Sequence, residues 1–99
     1  MRVLVVETEQ YKTRIVDIDD TLEALQKLVG GYIETCSPFT WKRKRIEMIV
    51  NEEGMLRDLP LNENFPWRVY GNAVFVGVNG ENFCSITVKQ MESILDSLF

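Results

Sequence analysis

The sequence predicts a single α+β domain. Its sheet is expected to hold about five strands in mixed arrangement, with two helices on one face. Three observations carry this expectation. Short β-branched runs recur along the chain, two amphipathic stretches follow helix-start signals, and Gly, Pro and Asn pairs separate them. Ninety-nine residues suffice for one core and are too few for two. With 45% hydrophobic and 26% charged residues, the chain has the composition of an ordinary globular protein.

Val3-Leu4-Val5-Val6 is a first strand and Arg14 to Ile18 a second, with polar Glu7 to Lys12 between them, so the two read as a hairpin. Asp20-Thr-Leu-Glu23 fits a capping box, and Leu22, Leu25, Leu28 and Val29 follow at helical spacing until Gly30-Gly31 ends the helix. Tyr32 to Cys36 is a short strand. Arg45 to Val50 is another, with Ile46 and Met48 on one side and Glu47 and Ile49 on the other. Ala73 to Val78 is apolar nearly throughout, as in a central strand buried on both faces, and Asn79-Gly80 marks the turn after it. Thr87-Val-Lys-Gln90 is a second capping box, opening a C-terminal helix striped by Met91, Ile94, Leu95 and Leu98. Hairpin, helix and returning strands give a β-grasp-like first half; a ferredoxin-like split is the alternative.

Several chemistries are excluded or disfavoured. The chain contains no histidine, which removes the usual general base and nearly every nitrogen-ligated zinc site. Neither phosphate-cradling glycine motif is present. An enzyme would have to work with carboxylates, Lys, Tyr or Ser alone, so a non-enzymatic protein without cofactor is expected. The net charge of −4 disfavours non-specific attraction to nucleic acid or anionic lipid. The opening MRVLVVETEQ falls short of a signal-peptide core and no stretch approaches a membrane span, so a cytoplasmic setting is expected. Cys36 and Cys84 lie outside any CxxC pattern and read as small buried hydrophobes.

Three segments carry candidate binding residues. In Asn51-Glu-Glu-Gly-Met-Leu-Arg-Asp-Leu-Pro-Leu-Asn62, the acids first suggest calcium. The EF-hand template fails, because Leu56 falls where the glycine must be and Asn62 where the bidentate glutamate must be. A solvated turn with Asn51 and Gly54 at positive φ and the glutamates facing water is the plain reading; the alternative is a binding segment whose candidate side chains are Glu52, Glu53 and Arg57. The run Trp41-Lys42-Arg43-Lys44-Arg45 clamps phosphates while Trp41 stacks on a base, or else is an edge strand guarded by its charges. Trp67, Arg68 and Tyr70 form either a flap over the sheet or an aromatic and cationic wall for a ligand.

Taken together, Asp20 to Glu34, Asn51 to Gly54 with Leu59-Pro-Leu-Asn62, Gly71 to Val78 and Glu81 to Ser85 resemble domain of unknown function 3846, a family of small phage, mobile-element and Firmicutes proteins. The resemblance covers nearly the whole chain and implies a setting rather than an activity. Genes of this size in phages and mobile elements often encode accessory proteins that neutralise a host defence component or its signal. Two partners are therefore expected as alternatives, a nucleotide-type small molecule that is sequestered or a host defence protein that is docked, and a homo-oligomer is compatible with either. Similar sequences carry a basic residue after Leu-Pro-Leu-Asn, where this chain has Glu63.

Overall fold

The computed structural model describes residues 1–99. Its elements are β1 (Arg2–Val6), β2 (Thr13–Asp17), α1 (Leu22–Val29), β3 (Ile33–Thr35), α2 (Phe39–Lys42), β4 (Ile46–Asn51), β5 (Ala73–Asn79), β6 (Asn82–Cys84) and α3 (Val88–Leu98). The sheet runs β2-β1-β5-β4-β3, and β6 also pairs with β5. Every pairing is antiparallel, so the sheet is not mixed. The α+β class holds, as does the order of hairpin, helix and returning strands. The strand expected to be central, β5, lies between β1 and β4.

The helices do not share a face. Alternation along the strands sends Val3, Val5, Ile49, Val74 and Val76 to one side, where Leu25 and Val29 of α1 cover them. Leu4, Val6, Ile46, Met48, Ala73 and Phe75 go to the other side, beneath Met91 and Ile94 of α3, Trp41 of α2, and Phe65 and Val69. Strands apolar at every position must be covered on both faces. The continuous runs in β1 and β5 thus required a two-sided arrangement.

Local chemistry explains most boundaries. The cap of α1 is Thr21 rather than Asp20: its Oγ1 accepts from the Ala24 N–H at 3.2 Å, which shifts the helix start by one residue and leaves Glu23 outside the cap. Gly30 ends α1 at φ 80°, a left-handed conformation that costs glycine nothing sterically. The Thr87–Gln90 capping box forms as expected. The strand β6 was not foreseen; it completes the hairpin whose Asn79-Gly80 turn was.

Residues 39–45 are not an extended edge. After Cys36 donates its N–H to the Met48 carbonyl and Ser37 Oγ accepts from the Met48 N–H, Pro38 turns the chain away from β4. One helical turn follows, ending with Arg45 at φ 57°. It places Trp41 edge-on against Phe75 at 5.0 Å between ring centroids. Burying an indole outweighs the edge-strand arrangement that the run of four cations suggested.

Candidate functional site

The connection between β4 and β5 is built on three buried asparagines. Asn51 Nδ2 donates to the Val29 carbonyl at 3.1 Å, and its Oδ1 accepts from the Glu53 N–H at 2.8 Å, turning the chain out of β4. Asn62 Nδ2 donates to the carbonyls of Val6 and Gly71, both at 3.0 Å. Asn64 Nδ2 reaches the carbonyls of Glu7 and Glu9, and its Oδ1 accepts from the Tyr11 N–H. These amides tie backbone groups of the α1 end, of β1 and of the turn after β1 to the connection. A bridge between Leu61 and Tyr70 closes the segment on itself.

Asn51 and Gly54 do not adopt positive φ, as the sequence had suggested; Asp58 and Gly71 do. Gly54 serves a different need. A Cβ there would lie 2.9 Å from the Tyr70 carbonyl oxygen, so the turn and the segment bearing Tyr70 touch only because residue 54 has no side chain.

That contact forms one side of a cleft of about 340 Å³. Trp67, Arg68 and Tyr70 line it from the long connection, Glu52 and Met55 from the turn, and Glu34 and Cys36 from the outer strand and its continuation. Trp67 is 41% exposed and rests on Phe65 at 5.4 Å and on Trp41 at 6.0 Å, so its ring is both supported and available. Two carboxylates and one guanidinium border the cleft. Flat rings stack on such aromatics, carboxylates accept from ring N–H groups, and Arg68 is suited to an anionic group.

Cys36 is exposed rather than a core hydrophobe, and Cys84 is half-buried; both are free thiols. Partial burial of its sulfur pushes the Cys36 thiol up from 9.0 to about 11, with Glu34 and Glu47 adding to the rise. The protonated form is a poor nucleophile.

Of the candidate residues, Glu52, Trp67, Arg68 and Tyr70 come together at the cleft. Glu53 and Arg57 instead face each other at 3.6 Å beside it, an exposed pair of small energetic weight. Trp41 does not stack on a ligand: it is 3% exposed and belongs to the core. Lys42, Arg43, Lys44 and Arg45 are exposed but do not line the cleft. The Arg43 guanidinium lies 5.9 Å from the Phe39 ring centroid, and Lys44 Nζ donates to Ser93 Oγ at 3.3 Å. Glu63 accepts from the Gln10 N–H at 3.1 Å and does not line the cleft. Glu34 and Cys36 were missed, because only the pairing of Glu34 with Val50 brings them to the cleft; Met55 was missed within the turn, where the acids and Arg57 were the candidates.

An antiparallel sheet covered on both faces, with an aromatic cleft beside an outer strand, defines a small α+β domain with a recessed aromatic surface. The chain belongs to the family described as Domain of unknown function (DUF3846), whose model matches residues 1–98. No curated protein and no solved structure matches it. No helix is long and apolar enough to cross a membrane.

Proposed function

We propose that this protein is a non-enzymatic binding protein of phage or mobile-element origin, acting in the host cytoplasm as an anti-defence factor that sequesters a nucleotide-type signal in the cleft. The observation that carries the reading is the supported ring of Trp67 beside Arg68, Tyr70, Glu34 and Glu52 around a space of about 340 Å³. This volume falls in the range of small-molecule sites, roughly 300–1,000 Å³. A nucleobase stacks on Trp67, its ring amines donate to Glu34 or Glu52, and Arg68 pairs with a phosphate. The phage setting rests on the family resemblance.

The acidic balance of the cleft favours a ligand held mainly by its base. Each phosphate beyond the one paired with Arg68 faces Glu34 and Glu52 without a cation lining the same space. Lys42 to Arg45 therefore drop out of the binding scheme. Catalysis is not part of the reading, because the chain has no histidine and the thiol in the cleft is held protonated.

Docking onto a host defence protein is the second reading. It is favoured by exposed Met55 and Leu56, the latter 80% exposed, next to half-exposed Trp67. The experiment that separates the two is native purification from host cells, heat release of bound material and mass spectrometry. A released ligand bearing a nucleobase supports sequestration. A stoichiometric host protein, with no small molecule, supports docking.

A further inference from the structure

The outer strand β2 has a free edge whose hydrogen-bonding phase can be read directly. The Met1 amine donates to the Ile18 carbonyl at 2.7 Å, and the Ile18 N–H donates to the Met1 carbonyl at 2.9 Å. Met1 and Ile18 are thus a doubly bonded antiparallel pair. Because such pairs alternate along a ladder, the register Val3 to Val16 and Val5 to Arg14 directs the backbone groups of residues 14 and 16 toward β1. Those of Thr13, Ile15 and Asp17 point outward.

The guards on this edge are two charges of opposite sign, Arg14 and Asp17. The strand Thr-Arg-Ile-Val-Asp has no proline, glycine or bulge, and each residue holds its β1 partner in unbroken register. Ile15 lies opposite Leu4, on the face covered by α3, and is 59% exposed. Beside it runs a largely apolar groove of about 380 Å³, bordered by Leu4, Val88, Met91 and Leu95 together with Thr13, Arg14 and Glu92. The other outer strand, β3, is only three residues long.

We infer that β2 pairs with β2 of a second copy of this chain, antiparallel about a two-fold axis at Ile15, forming one sheet across two molecules. The outward set is symmetric about Ile15. Pairing sets Ile15 against Ile15 of the second copy, Thr13 against Asp17 and Arg14 against Val16, and each outward residue exchanges both of its backbone bonds. No like charges fall directly opposite, and the Thr13 hydroxyl donates to the Asp17 carboxylate. Arg14 retains Glu7 at 3.6 Å on its own sheet. The axis stands perpendicular to the sheet, so both α3 helices lie on the same side and the two apolar grooves meet over the paired isoleucines. An unrelated extended peptide would satisfy the backbone but has no reason to match this pattern of apolar and charged positions.

Sedimentation equilibrium of the intact chain across a wide concentration range tests the pairing. The native protein is expected to reach twice the chain mass. Ile15→Lys places two ammonium groups against each other while leaving the β1–β2 ladder intact, and should weaken the dimer by more than about tenfold with unchanged circular dichroism. Tyr32→Lys, beside the opposite edge, should leave dimerisation unchanged. A native protein that stays monomeric at the highest concentration, growth beyond a dimer, or an Ile15→Lys dimer as tight as the native one would overturn the assignment.

Discussion

Asn62 Nδ2 donates to the carbonyl of Val6 at 3.0 Å, joining the long connection to a strand that precedes it by 56 residues. The same amide holds the Gly71 carbonyl, while its oxygen accepts from the Asn64 N–H at 3.1 Å. One side chain thereby fixes both ends of the segment that carries Trp67, Arg68 and Tyr70.

Asn62→Ala leaves two buried carbonyls without that partner. It should lower stability by roughly 1–3 kcal/mol, chiefly through the Gly71 carbonyl, because the Val6 carbonyl keeps its place in the ladder opposite Ala73. Urea denaturation followed by far-ultraviolet circular dichroism measures this.

Gly54 and Gly30 separate two kinds of glycine requirement. At Gly54 an added Cβ collides with the Tyr70 backbone, so Gly54→Ala should cost about 1–3 kcal/mol and displace the cleft wall, altering Trp67 emission. At Gly30 nothing lies within 4 Å but φ is +80°, so Gly30→Ala should cost about 1–2 kcal/mol and leave tryptophan emission unchanged.

The two tryptophans divide between fold and binding. Trp41→Ala should destabilise by about 3–5 kcal/mol, as for other buried aromatic truncations. Trp67→Ala removes a half-exposed ring and should cost well under half of that, while weakening a stacked ligand by about 1–3 kcal/mol. Thermal denaturation, with and without ligand, distinguishes them.

The Cys36 thiol gives stability a defined alkaline dependence. Its folded value of about 11 exceeds the ordinary 9.0, so between these values the folded chain holds a proton that the unfolded chain has released. Stability therefore falls as pH rises from 9 toward 11. Cys36→Ser should flatten this part of the profile, and iodoacetamide should modify Cys36 more slowly than a free peptide thiol at neutral pH.

The sequence was most informative where local chemistry decides the structure. The Thr87–Gln90 box, the Gly30 stop and the Asn79-Gly80 turn were legible because each depends on neighbouring residues. Trp41 was misread because its burial depends on Phe75 and Trp67, which lie far along the chain. Two-sided cover of the sheet was implicit in the unbroken apolar runs of β1 and β5, although a one-sided arrangement was expected. At the cleft, Trp67, Arg68 and Tyr70 announced themselves by type. Glu34 and Cys36 did not, because ordinary strand residues become lining only through the β3–β4 register.

The central claim is that the cleft holds a nucleobase-bearing ligand, and thermal shift against cyclic and linear nucleotides tests it most directly. A ligand at about one hundred times its Kd adds about 2.7 kcal/mol to the native state. For a domain of this size, that raises Tm by on the order of 10 °C. The account predicts such a rise for at least one nucleotide, greatly reduced in Trp67→Ala and unchanged in Lys42→Ala. No shift with any nucleotide well above micromolar concentration, or a shift that survives Trp67→Ala, would contradict it.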